Sequence, residues 1–263
     1  MERNNDEDWT TDAIQRGDLD AIHQRVRGDG DYLESRDSSG DTPLLIAIDD
    51  AELDLVKFLL EHGADPNVAV DDGYTCLLTA IESDFEDSIG IVAALIAAGA
   101  NLHQTGTCGW SPLHMAAIRG RTEKARLLID AGAQVNQRKE IDAQETPLME
   151  SAFVGRPEIV QLLLDNGADP MMRDTINNRT PREIAQNVVD GPDPSVFHAL
   201  KGFGAVDFGL AFDYDDMGLP PVQLARLRHL MAHFDVAKTY VSNMQKLAVS
   251  GDHAEVIRIL TNC

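Results

Sequence analysis

Cysteine is scarce in this chain and widely scattered. Cys76, Cys108 and Cys263 are the only 3 in 263 residues, which argues against a disulfide framework and for a reducing compartment. No apolar run reaches the roughly 18 residues that a membrane-crossing helix requires. The opening stretch, Met1-Glu2-Arg3-Asn4-Asn5-Asp6-Glu7-Asp8, has no apolar segment of the kind a secretory signal carries. These absences together point to the cytosol. Cationic side chains are also few: 22 Lys and Arg stand against 44 Asp and Glu, for a net charge of −22. The deficit is lopsided. Residues 1–105 hold 24 acidic and 6 basic side chains, or −18, and residues 106–263 hold 20 and 16, or −4. A field of this sign repels phosphate backbones, which argues against nucleic-acid binding. It attracts and steers a basic partner in a salt-dependent way, and it also serves plain solubility.

Catalytic constellations are missing as well. Asp207-Phe208-Gly209 spells a kinase metal-binding tripeptide, but neither a Gly-rich phosphate loop nor a His-Arg-Asp loop precedes it. The run Asp213-x-Asp215-x-Met217-Gly218 begins like a calcium loop. Met217 and, at the twelfth place, Leu224 then supply apolar side chains where oxygen ligands are needed. His229 and His233 share a helix face, yet no Glu-x-x-His frame or nearby third ligand completes a zinc site. Nothing basic adjoins Cys108 in sequence to activate it. No nucleophile–base pair emerges, so no catalytic residue, cofactor or metal is expected, and the protein is read as a non-enzyme.

What the chain does have is a recurring phrase. Thr42-Pro43-Leu44, Thr75-Cys76-Leu77, Ser111-Pro112-Leu113-His114, Thr146-Pro147-Leu148 and Thr180-Pro181 follow one another at steps of 33, 36, 35 and 34 residues. A second phrase keeps the same beat: Gly63-Ala64, Gly99-Ala100, Gly132-Ala133, Gly167-Ala168 and Gly204-Ala205. Two interleaved markers at one period signify a stacked supersecondary unit. In the unit from Ser111 to Asn136, the serine hydroxyl can cap a helix and the proline suits its first position. Leu113, Ala116 and Ala117 give that helix an apolar face, and Gly120 punctuates a turn. Ala125, Leu127, Leu128 and Ile129 line a second helix that Gly132 ends. Neither helix can bury its apolar face alone, so neighbouring units must stack. A stack has no buried cleft by default, and the first expectation is a surface that binds.

The phrases Gly40-x-Thr42-Pro43-Leu44, Ala116-Ala117-x-x-Gly120 and Leu127-Leu128-x-x-x-Gly132-Ala133 resemble the ankyrin repeat, about 33 residues per unit. The resemblance implies an all-α solenoid of stacked helix-turn-helix units with projecting β-turn fingers and no intrinsic catalysis. It assigns residues 1–36 to an N-terminal capping repeat, 37–206 to five repeats, and 207–263 to a connector and a C-terminal helical cap. His114 falls at the family's Thr-Pro-Leu-His place, where it makes a structural hydrogen bond. There are departures from the pattern. Cys76 replaces a proline, three extra residues lengthen the second unit around Glu82–Ser88, and Arg182 replaces a leucine. Gln144 and Asn178 stand where finger glycines usually lie, which puts the finger shape in question.

In such stacks partners usually meet the fingers and the end of each first helix. Carried onto this sequence, that surface presents an acidic run, Asp41, Asp49, Asp50, Asp71, Asp72 and Glu82, beside Tyr74, Trp110, Ile118, Arg119, Glu145 and Phe153. Apolar and aromatic groups rimmed by charge have the composition of an interface centre. Trp110 is therefore expected to act as a partner-binding anchor whose removal leaves folding unchanged; its competing reading is a tryptophan that folds back over a finger. The sequence thus reads as a cytoplasmic adaptor or inhibitor, of the immunity type in its most pointed form. It would grip a basic protein on its concave face, with neither membrane nor nucleic acid as partner, and a monomer is expected. The alternative is a regulatory subunit or enzyme-associated domain whose activity lies in the C-terminal helical segment. There, Gln223–Ser250 reads as amphipathic helix, and Ala248-x-x-Gly251-Asp252 with Val256, Ile257, Ile259 and Leu260 echoes the second half of a degenerate repeat.

Overall fold

In a computed structural model, which describes residues 9–70, 73–106, 109–141, 143–190 and 252–262, every Thr-Pro phrase starts a helix. The hydroxyls of Thr42, Thr75 and Thr146 accept from the backbone N–H three residues on, at Leu45, Leu78 and Met149. Such a bond satisfies one of the N–H groups that a helix start leaves without a partner. Ser111 solves the same problem with His114, whose Nδ1 lies 2.7 Å from the Ser111 hydroxyl and accepts from its backbone N–H. Thr180 and Glu183 cap reciprocally: the Thr180 N–H donates to the Glu183 carboxylate, and the Glu183 N–H donates to the Thr180 hydroxyl.

Two helical layers result. The first holds α1 (Trp9–Gln15), α3 (Pro43–Asp49), α5 (Cys76–Glu82), α7 (Pro112–Arg119), α9 (Pro147–Val154) and α11 (Pro181–Asp190). The second holds α2 (Leu19–Gly28), α4 (Leu53–Glu61), α6 (Ser88–Ala97), α8 (Thr122–Asp130), α10 (Pro157–Asp165) and α12 (His253–Thr261). Each helix touches its layer neighbours and its own partner. One continuous core follows, built from fully buried side chains such as Leu44, Ile48, Leu59, Leu77, Ile81, Leu95 and Leu113. Alanines at the same helical place, Ala47, Ala80, Ala116 and Ala185, are wholly buried and let the layers approach closely.

Five fingers project between the units, and each closes on an equivalent backbone bond. Asp37, Val70, Gly106, Lys139 and Asp174 donate to the carbonyls of Asp41, Tyr74, Trp110, Glu145 and Arg179. Gly40, Gly73 and Gly109 take positive φ in the first three, which a glycine adopts without a steric penalty. Gln144 (φ 51°) and Asn178 (φ 54°) do the same in the last two. The finger shape therefore survives both departures from glycine, at the cost of local strain. Among the described residues no strand forms, only an isolated bridge between Ala69 and Thr75.

The last unit is assembled differently from the others. Helix α12 lies against α10 and α11, in the place that the second helix occupies in every other unit. The Asp252 N–H donates to the Gly155 carbonyl at 2.9 Å, and His253 Nε2 donates to the Phe153 carbonyl at 2.8 Å. The helix expected to belong to a degenerate unit of its own thus completes the unit that Thr180-Pro181 opens. Val256 and Leu260 form its inner face. Residues 191–251, with Gly204-Ala205, Asp207-Phe208-Gly209, His229, His233 and the helices expected over 223–250, lie outside the described residues.

Candidate functional site: an acidic groove across the first two units

The helical repeat places Leu45 and Asp49 one turn apart on α3, and Thr79 and Glu82 one turn apart on α5. Together with the fingers before them, these side chains wall a groove of about 420 Å³. Asp41 contributes from the first finger, Val70 and Tyr74 from the second, and Ser83, Asp84 and Phe85 from the turn after α5. The lining is thus four carboxylates around an apolar strip of Leu45, Val70, Tyr74 and Phe85. Asp49 is exposed and Asp41, Tyr74 and Glu82 are half-buried. Next to Asp49, partial burial and then the Asp49 charge itself push the Asp50 carboxyl above its usual range.

The second unit's lengthened turn is held from the third. Lys124, on the first turn of α8 and only 4% exposed, donates from Nζ to the carbonyls of Ala80, Ile81 and Ser83 at 2.9, 3.2 and 2.6 Å. An ammonium there satisfies carbonyls that the end of α5 leaves without helical partners and complements the negative end of that helix. Desolvation, followed by the neighbouring Arg121 charge, brings the lysine's pKa down to about 8. Arg121 pairs with Asp84 and donates to the Glu82 carbonyl at 3.3 Å, and Arg119 pairs with Glu82. On the other side of the turn a second groove of about 390 Å³ is lined by Phe85, Glu86, Ile89 and the α7–α8 turn. Phe85, 61% exposed, forms part of both walls.

The structure thus gathers Asp41, Asp49, Tyr74 and Glu82 at one place, while Asp71 and Asp72 lie outside the described residues. Asp50 is exposed at the end of α3 and does not line the groove, and the remaining expected residues make contacts within the stack. Trp110 is 5% exposed, and its indole N–H donates to the buried Glu150 carboxylate at 3.2 Å. Lys139 Nζ reaches the same Glu150 oxygen at 3.2 Å and the Glu145 carboxylate at 3.0 Å. Ile118 is 1% exposed. The expected exposure of both is thereby corrected: Trp110 ties the third unit to the fourth through Glu150, and Ile118 is buried in the core. Glu145 is tied to Lys139, and its carbonyl lies 3.1 Å from His114 Nε2. Arg119 is committed to Glu82, and Phe153 is half-buried against the core, its backbone carbonyl bonded to His253 at the start of α12. The periodic pattern could not assign Trp110, because a finger aromatic can face outward or fold over its neighbour with the same spacing. Asp84 and Phe85 were missed, although a lone phenylalanine in an acidic, three-residue extension was visible.

Among the described residues no group of three or more His, Cys, Asp and Glu side chains is arranged to hold a metal ion. Buried Cys76 has its thiol pushed up to about 12 by desolvation, which leaves it protonated and unreactive at neutral pH.

Comparison with known proteins agrees with this architecture. Residues 11–105 and 85–174 match the family model described as ankyrin repeats in three copies. A putative ankyrin repeat protein of Rickettsia felis is 27% identical over 122 residues, 46% of this chain and 40% of that protein. The RelA-associated inhibitor of Mus musculus is 36% identical over 96 residues, 35% of this chain and 11% of that protein. NF-kappa-B inhibitor alpha of Sus scrofa is 29% identical over 148 residues, 49% of this chain and 47% of that protein. The chain therefore spans less than half the length of each of these relatives.

Proposed function

This chain belongs to the ankyrin-repeat family, and from that premise we propose that it is a cytoplasmic protein-binding module, an adaptor or inhibitor, that seats a basic protein in the groove of its first two units. One observation carries the reading: Asp41, Asp49, Glu82 and Asp84 surround an apolar strip in a single open groove. Arg119 and Arg121 pair with Glu82 and Asp84, and the groove lies within the first 105 residues, which carry −18. Carboxylates around apolar contacts suit a partner with Lys or Arg around its own apolar centre. Two relatives are named as inhibitors, which supports masking of a partner as the mode of action. A module of this kind works by occupying its partner's surface, without bond chemistry of its own. No helix among the described residues is long and apolar enough to cross a membrane. The alternative of an activity lodged in the C-terminal segment is less favoured, because α12 is spent on completing the stack.

The test is capture of partners from the cell's own lysate on the immobilised full chain, beside the Asp41→Lys/Asp49→Lys variant. A basic protein released by moderate salt, with retention roughly tenfold or more weaker on the variant, is the expected result. Capture indifferent to both salt and charge reversal would remove the proposal.

A further inference from the structure

We propose that the lengthened turn after α5 is a rigid partner anchor, in which Phe85 inserts into an apolar recess of a cationic protein segment while the surrounding carboxylates engage that segment's basic side chains. This rests on the acidic-groove reading and goes further, because it places the energetic centre of the interface on one side chain.

Three observations converge on the turn. Its position is held by the third unit and by its own following helix: Lys124 binds the Ser83 carbonyl, Arg121 pairs with Asp84, and the Ser88 hydroxyl donates to the carbonyl of Phe85 itself. Its side chain is nevertheless turned outward, 61% exposed, with Ile89 43% exposed on the next helix. Two grooves meet at the phenylalanine, one on each side. A large apolar group held in place yet left in water adds little to folding. It is ready to bury its surface on binding without the ordering cost that a mobile loop would bring. The rest of the turn decides which partner. Asp84 and Glu86 are exposed and line the grooves beside the ring, Asp87 is exposed two residues on, and Asp49 stands across the groove. Of the nearby cations, Arg119 and Arg121 are already paired and Lys124 is buried beneath the turn. An acidic or neutral segment would lose the hydration of those carboxylates for no return, whereas a cationic one compensates them.

Two synthetic probes separate the anchor from the field. One is a lysine-rich peptide with a stripe of leucines; the other has the same length and charge, with serine in place of leucine. Each is titrated against the full chain and against its Phe85→Ala and Phe85→Leu variants, at low and physiological salt. Helical circular dichroism and melting confirm that the variants fold. The wild-type chain is expected to prefer the leucine peptide by about tenfold or more at physiological salt, a hot-spot magnitude. Phe85→Ala should bring the two peptides within about twofold of each other while leaving the serine peptide unaffected, and Phe85→Leu should keep most of the preference. Salt-sensitive binding of both peptides that ignores Phe85 overturns the anchor and leaves the acidic groove standing. Failure of both peptides to bind at low salt overturns the groove reading and the anchor with it.

Discussion

Trp110 shows how much one side chain's direction matters. From the spacing alone it stands on a finger, at a place the stacking does not require to be apolar. In the structure its ring is buried and its indole N–H is satisfied by Glu150, itself buried and held by Lys139. Trp110→Ala would open a cavity and remove a donor from a buried carboxylate. We expect a loss of about 3–5 kcal/mol in unfolding free energy, read from urea denaturation. An unchanged midpoint would restore the tryptophan to the surface. His114 gives a second consequence at this scale. Burial, opposed by its bond to the Glu145 carbonyl and reinforced by Lys139, brings its pKa from 6.5 down to about 4. The unfolded chain takes up this proton near pH 6.5, and the folded chain withholds it until about pH 4. The unfolded state therefore binds more protons in that window, and the histidine's contribution falls as pH drops through it, by roughly 3 kcal/mol in all. His114→Gln should flatten the fall in unfolding free energy between those pH values relative to the wild type. Burial pushes the Glu150 carboxyl the other way, upward, so its own contribution declines as pH rises. The difference between wild type and the His114 variant isolates the histidine.

Among the elements, the repeated helices were the most legible part of the chain. A hydroxyl, a proline and apolar residues at helical spacing set the starts of α3, α7 and α9, and the recurring Gly-Ala marks the ends of their partners α4, α8 and α10. Fingers at Gln144 and Asn178 were harder to read, because a side chain raises the energy of positive φ without forbidding it. The place of α12 was harder still. Its apolar spacing shows a second-helix pattern, but only contact with α10 and α11 shows which first helix it serves. Val256 is wholly buried there, so Val256→Asp would set an unpaired charge against α10 and α11. In a stack where each unit contacts only its neighbours, damage at one end stays local. Hydrogen exchange should then show α11 and α12 losing protection while α3 to α8 keep theirs, with groove binding preserved. Loss of protection along the whole chain would show that the last unit holds up the rest. The same geometry bears on truncation: a chain cut after residue 206 lacks α12 and uncovers the sides of α10 and α11 that α12 contacts.

On the scale of the whole molecule the controlling quantity is charge along the stack. The −18 of the first 105 residues against the −4 of the remainder gives the chain an acidic end, and the groove lies in that end. Steering by such a field weakens once the screening length falls below the width of the groove, which is why ionic strength is the natural variable for the capture experiment. The amino-acid sequence by itself determined the repeat, the helix starts and the sign and gradient of charge. All of these follow from residue type and spacing along the chain. Tertiary structure decided which side chains face outward, that Trp110 and Ile118 belong to the interior, that Phe85 does not, and that α12 completes the fifth unit. The physical reason is the same in each case. Periodicity fixes which side of a helix is apolar, but exposure depends on what the neighbouring unit places against that side, and that contact exists only once the units are stacked.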